Sequence, residues 1–221
     1  MPRFGSLAIV LSSALAASAQ PAKDADRAAK WDKDVAAIEK RQSENPPAKG
    51  GIVFAGSSSI RLWDLSKSFP EWNATNSGFG GSEVRDSTLF ADRLILKHEP
   101  RAIVFYAGDN DVANNRTPDQ VRDDFKAFVA AVHKALPKTR IHFIAIKPSV
   151  ARWKRYETIR KANSLVKEFT ATDDRLGFID IAPLMLGSDG QPRPELFVKD
   201  GLHLSAKGYE IWTETVKKAA K

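Results

Sequence analysis

The sequence predicts an α/β fold, a three-layer α/β/α domain with a mostly parallel central sheet. Two observations carry this. Apolar runs at residues 52–55, 102–106, 141–146 and 176–181 are nearly continuous, which suits strands buried on both faces of a parallel sheet. Between them lie stretches with apolar residues at spacings of three and four, so strand and helix alternate as right-handed crossovers require.

The elements follow in order. Arg3, an apolar and small-residue stretch over 7–17, and then Ala17-Ser18-Ala19 read as an export signal, with cleavage expected after Ala19. The signal peptide is thus 1–19, and the mature protein is expected to be secreted or periplasmic. The apolar stretch is too short to span a bilayer, so no stable membrane insertion is expected. Residues 20–50 form an N-terminal segment. Ala28, Trp31, Val35 and Ile38 give residues 24–41 the pattern of an amphipathic helix packed on the outside of the domain, and Asn45-Pro46-Pro47 and Gly50-Gly51 end it in a linker. The main domain occupies 51–221. Residues 73–77 form a further short strand, and helices are predicted over 82–97, 118–136, 156–170 and 205–218.

Composition narrows the chemistry. The chain has 221 residues, 13 Gly, 12 Pro and no Cys, which fits one globular domain and excludes disulfides, thiolate metal sites and cysteine nucleophiles. Lys and Arg number 34 against 27 Asp and Glu, a formal net charge of +7. The basic residues are interspersed with acids, and with export this argues against nucleic acid as a partner.

Ligands of such sheets bind beyond the carboxyl ends of the strands, so the loops there were read for chemistry. Four carry unusual residues. Gly56-Ser57-Ser58-Ser59 places hydroxyls where a strand turns into a helix; Gly78-Phe79-Gly80-Gly81-Ser82 frees the backbone to approach a ligand; Gly108-Asp109-Asn110-Asp111 sets a carboxamide at a strand end; Asp200-Gly201-Leu202-His203 spaces a carboxylate and an imidazole by three. A calcium loop at Asp109 fails on its own template, because Asn114 and Gln120 stand where glycine and glutamate are needed. Each block alone has a bland reading, since a Ser-rich turn caps helices and a surface His suits a helix start. Together they fall on one edge of one sheet.

In this order the four blocks resemble the SGNH or GDSL hydrolase superfamily, in particular its platelet-activating-factor acetylhydrolase-like branch, over about residues 51–215. Ser57 stands where the family usually has Asp. The resemblance implies a flavodoxin-like SGNH fold and makes Ser58 the nucleophile, with Asp200 and His203 completing the triad. It assigns the oxyanion hole to the backbone N–H groups of Ser58 and Gly81 and the side-chain amide of Asn110. No metal or organic cofactor is called for. The expected activity is a secreted serine esterase that hydrolyses esters of small acyl groups through an acyl-enzyme. Its substrate would be a small ester or an acylated carbohydrate, as for a carbohydrate O-acetyl esterase. A lipase or lysophospholipase-type acylhydrolase is the alternative, and a non-catalytic exported module for acidic glycan or lipid a weaker one. Phe79 and Trp153, in loops near the predicted site edge, are candidates for acyl or sugar contacts. Trp63 and Trp72 read as packing residues, and His98, His133 and His142 as structural.

Overall fold

The structure is a computed structural model that describes residues 11–220, with side chains from residue 24 onward; the expected leader at 1–19 lies outside those described side chains. Five strands, β1 (Ile52–Gly56), β2 (Ala74–Gly78), β3 (Ala102–Tyr106), β4 (Arg140–Ile144) and β5 (Leu176–Ile179), form one sheet in the order β2-β1-β3-β4-β5. Every neighbouring pair is parallel. The chain order reverses between β1 and β3, and the crevice above that switch point is where a doubly wound sheet binds its ligands. The loops carrying Ser58 and Asn110 leave these two strands.

Strand alternation explains how the sheet is covered. Val53, Ala55, Ile103, Phe105, Ile141 and Phe143 point to one face, and Ile52, Phe54, Val104, Tyr106 and Ile144 to the other. The first face is covered by α1 (Leu11–Glu44), α4 (Val84–Leu89), α5 (Ala91–Leu94), α7 (Pro118–Ala135) and α8 (Tyr156–Thr170), through residues such as Val35, Phe90, Phe125, Phe128 and Val166. The second is covered by α2 (Ser58–Arg61), α3 (Leu65–Ser68) and α9 (Ala206–Ala219), through Ile60, Trp63, Leu65, Trp212 and Val216. The remaining helix, α6 (Asp109–Ala113), starts at the end of β3.

Local chemistry sets the helix ends. Thr117 and Gln120 make a reciprocal capping box around Pro118, the first residue of α7, and the Ser205 hydroxyl accepts from the Gly208 N–H at the start of α9. The helix predicted over 82–97 is instead divided into α4, α5 and a 3-10 turn at Leu96–His98. Phe90 and Ile95 leave helical geometry, with φ −106° and −127°, while Phe90, Ala91, Leu94 and Ile95 all remain buried. Apolar spacing alone registers the burial and not the two breaks.

The N-terminal helix is longer than predicted and is part of the core. Trp31, Val35 and Ile38 are buried in the same cluster as Phe79 and Phe90. Arg27 fixes it further with ion pairs to Asp86 at 2.8 Å and Glu83 at 3.0 Å. Through these contacts α1 braces the glycine-rich loop after β2.

Candidate active site

Strand β1 ends on Gly56, whose φ of +128° turns the chain sharply into α2. A Cβ there would lie 1.9 Å from the Tyr106 carbonyl oxygen, so only glycine lets β1 and β3 stay paired up to the turn. The turn sorts three consecutive serines. Ser57 is 0% exposed and its Oγ has no hydrogen-bond partner, Ser59 is 1% exposed, and Ser58 alone is half-buried at the surface.

Ser58 meets the loop that precedes α9. Its Oγ lies 3.0 Å from His203 Nε2, and His203 Nδ1 lies 2.6 Å from Asp200 Oδ2. Asp200 Oδ1 accepts the backbone N–H groups of Leu202 at 2.8 Å and His203 at 2.9 Å. The side-chain hydrogen bond with His203, helped by these two N–H groups, holds the Asp200 carboxyl down at about 2. An ionised carboxylate only accepts, so Nδ1 must carry the imidazole proton and Nε2 is left as the acceptor for the Ser58 hydroxyl. The three residues form one directed chain of proton contacts.

Asn110 and Gly81 follow β3 and β2, the two strands that flank β1 in the sheet. Asn110 Nδ2 donates to the Ser82 carbonyl at 3.0 Å, and Asn110 Oδ1 accepts from Arg152 Nη2 at 2.8 Å. The carboxamide is therefore fixed at both ends, with one Nδ2 hydrogen left over. Gly81 is exposed with φ +79°, a conformation glycine adopts without strain. Its loop is tied down on both sides. Phe79 N–H donates to the Gly56 carbonyl at 3.0 Å, and the Ser82 hydroxyl donates to the Phe79 carbonyl at 2.9 Å.

Asp111 holds the same loop from behind. Its buried carboxylate accepts the Val84 N–H at the start of α4, at 3.2 and 3.3 Å. Burial, then the neighbouring Glu83, push the Asp111 carboxyl up to about 7. Since the folded chain keeps this proton to higher pH than the unfolded chain, the group subtracts stability as pH rises from about 4 to about 7 and no further above it. Asp111→Asn is expected to abolish that component, so the difference in urea midpoint between variant and wild type should shift in the variant's favour from pH 4 to pH 7. A difference independent of pH would show that Asp111 does not titrate in this range.

Sequence reading missed a charged cluster beneath the site. Lys147, in the loop after β4, is 1% exposed, and its Nζ donates to Asp109 Oδ2 at 2.9 Å, Tyr106 Oη at 2.9 Å and Ser59 Oγ at 3.2 Å. Burial pushes the Asp109 carboxyl up, but the Lys147 ammonium and the Arg152 guanidinium outweigh it and hold it below the usual range. Burial likewise lowers Lys147 against the pull of Asp109. The 2.9 Å contact between Lys147 Nζ and Asp109 Oδ2 has the geometry of a buried ion pair. Arg152 Nη1 stands 3.4 Å from Asp109 Oδ1. The same loop reaches the imidazole's side, since Ala151 N–H donates to the Gly201 carbonyl at 3.0 Å. Only the apolar run of β4 was a signal here; nothing in the local pattern marks Lys147 or Arg152.

Two expected contacts need separate treatment. Phe79 was expected at the site edge and instead lies in the core at 1% exposure, edge-on to Trp31 at 5.3 Å and Phe90 at 6.0 Å. The glycines around it turn its side chain inward, under α1, so it does not contact substrate. Trp153 is half-buried in a 3-10 turn next to Arg152, with its ring stacked on Tyr156 at 4.5 Å. Trp63 is buried, Trp72 packs partly against the same cluster, and His98 bonds the Gln42 side chain at 3.0 Å. Between α2, α3 and α9 a groove of about 460 Å³ is lined by Leu62, Trp63 and Tyr209 together with Lys67, Glu210 and Lys217, and Tyr209 Oη donates to the Ser59 carbonyl at 2.9 Å.

Comparison with known proteins shows the family and the fold. Platelet-activating factor acetylhydrolase IB subunit alpha1 of Rattus norvegicus is 29% identical over 165 residues, 72% of this chain and 69% of that protein, and the Homo sapiens protein is 28% identical over 72% and 70%. Among solved structures, one from Streptococcus pneumonia superposes with a TM-score of 0.76 at 19% identity, covering 94% of this chain and 99% of that one. A GDSL-like lipase from Bacteroides thetaiotaomicron gives 0.68 at 21%, covering 83% and 97%. A carbohydrate esterase family 3 protein from Talaromyces cellulolyticus gives 0.60 at 16%, covering 77% and 95%. Residues 60–211 match the profile of the GDSL-like lipase/acylhydrolase family, and the chain belongs to that family of ester-hydrolysing serine hydrolases.

Proposed function

We propose that Ser58, His203 and Asp200 are the catalytic triad of an esterase acting on small acyl esters through an acyl-enzyme. The observation that carries this is the hydrogen-bonded chain from Ser58 Oγ through His203 to Asp200 at the end of β1, with Asn110 and Gly81 following the two strands that flank it. His203 Nε2 takes the Ser58 proton as Oγ bonds to the ester carbonyl carbon. The backbone N–H groups of Ser58 and Gly81 and the free Nδ2 hydrogen of Asn110 receive the oxyanion. When the tetrahedral adduct collapses, the C–O bond to the alcohol breaks and the imidazolium returns its proton to the leaving oxygen. Water then repeats the sequence on the acyl-serine and releases the acid.

An acetylated carbohydrate is the substrate class we favour. The site is shallow on one side, because Asp200 is exposed and β1 passes directly into α2 with no intervening insertion. Structural neighbours that include a carbohydrate esterase are consistent with such a site. The export leader would place this activity outside the cytoplasm. The second reading is a lipase or lysophospholipase-type acylhydrolase with a longer apolar group, for which the exposed Leu62 and half-buried Tyr209 of the mixed polar and apolar groove offer surface.

Hydrolysis of p-nitrophenyl acetate, butyrate and octanoate separates these readings. Highest kcat/KM on acetate is expected, and a rise toward octanoate would favour the groove. A fluorophosphonate should label Ser58, because Ser57 and Ser59 are buried. An adduct on either neighbour, or no adduct on active protein, would overturn the assignment.

A further inference from the structure

The charged cluster of Asp109, Lys147 and Arg152 touches the proposed oxyanion hole, because Arg152 hydrogen-bonds Asn110. We propose that Arg152 is a positioning residue of the oxyanion hole, acting through the Asn110 carboxamide. The proposal rests on the reading of Asn110 as an oxyanion donor.

An amide group that stabilises an oxyanion must present its N–H in a fixed direction, with no reorganisation when charge develops. A free Asn side chain rotates about its terminal torsion and fails this requirement. Here the Arg152 guanidinium donates to Asn110 Oδ1 at 2.8 Å while Asn110 Nδ2 donates to the Ser82 carbonyl at 3.0 Å. The two contacts fix the plane of the carboxamide and settle which end is oxygen. They also use one Nδ2 hydrogen and leave the other for substrate.

Arg152 does more than hold. A charged donor on the amide oxygen draws electron density from the amide and strengthens the remaining N–H as a donor. Its side chain is 17% exposed, and the neighbouring Asp109 and Lys147 are 6% and 1% exposed, so water screens the charge weakly. Lys147 matters because it neutralises Asp109. Without that ammonium the carboxylate 3.4 Å from Arg152 would compete for the guanidinium and cancel its charge. The cluster of two cations and one carboxylate leaves one positive charge behind Asn110. Its partner loop contact, Ala151 N–H to the Gly201 carbonyl, keeps the Arg152 segment in register with the His203 side of the site.

The test is a double-mutant cycle on p-nitrophenyl acetate. Arg152→Met removes the charge and keeps much of the apolar stem; kcat and kcat/KM should fall together by roughly 10- to 100-fold, with KM changed less than about threefold, as for an interaction made in the transition state. Arg152→Lys keeps the pairing with Asp109 and one donor, and should recover part of the loss. In an Asn110→Ala background, Arg152→Met should cost no more than about twofold, because its target is gone. An equal loss in both backgrounds, or wild-type kcat in both Arg152 variants, overturns the proposal. Wild-type activity of Asn110→Ala by itself would instead refute the oxyanion reading on which the proposal rests. Thermal midpoints of all variants identify a folding defect, which would lower active-site titre with fluorophosphonate rather than kcat per labelled site.

Discussion

Ser58→Ala should lower kcat on p-nitrophenyl acetate by a factor on the order of 10⁶, while leaving the thermal midpoint close to that of the wild type. The size of the effect follows from the geometry. With Oγ gone, no acyl-enzyme forms, and His203 Nε2 has nothing to deprotonate except water that is not held at 3.0 Å. The oxyanion donors survive, so a residual rate of roughly 10³-fold over water is expected from them alone. Stability should change little because Ser58 is half-buried and its hydroxyl bonds only the imidazole, whereas Ser59 in the same turn is tied to the buried Lys147. The comparison of Ser57→Ala and Ser59→Ala sharpens this. Neither buried hydroxyl faces the imidazole, and a loss on the order of 10⁶ in either would mean the nucleophile is misassigned.

Asp200→Asn should cost about 10⁴ in kcat, more than most substitutions that leave a site's shape intact. Asp200 Oδ1 accepts two backbone N–H groups, from Leu202 and His203, which an asparagine satisfies only with its own oxygen. Its amide nitrogen then faces His203 Nδ1. A donor in that place forces the imidazole proton onto Nε2, which can no longer accept from Ser58. The pH profile offers a second reading of the same residue. The His203 hydrogen bond keeps the Asp200 carboxyl at about 2, so it stays ionised across the working range and adds nothing to the acid limb of log kcat/KM there. That limb should fall with a slope of one down to about pH 4. A slope of two would mean that the carboxylate is titrating as well.

The difference between what the sequence disclosed and what it hid has a physical basis. Strands β1 and β3 could be read almost to the residue because both their faces are buried, so every position is apolar. The edge strand β2, Ala-Thr-Asn-Ser-Gly, was harder: its side chains bond loops and helices, as Asn76 does to Ile60 and Trp63 carbonyls, and carry no apolar pattern. Ser58 and Asn110 open the short helices that follow β1 and β3, and Asp200 and His203 lie in the loop before α9; the composition of each segment departs from its surroundings. Phe79 was misplaced because a loop residue's side chain can point either way, and the burial that decides it comes from Trp31, 48 positions earlier in the chain. Lys147 and Arg152 were invisible for the opposite reason. A lysine after a strand looks like surface until Tyr106, Asp109 and Ser59 close around it.

Ser58 and His203 are separated by 145 residues, and every strand of the sheet lies between them except β1, which ends at Gly56 just before Ser58. A chain growing from its amino end therefore displays its hydroxyl through nearly the whole of its synthesis before any base exists to activate it. The partner arrives only when β5 has joined the sheet and the last helix has docked, since Tyr209 of that helix anchors the turn carrying the proposed nucleophile. Hydrolytic competence is thus the final property the molecule acquires as it is made. A precursor halted before residue 203 carries the hydroxyl without the imidazole proposed as its base.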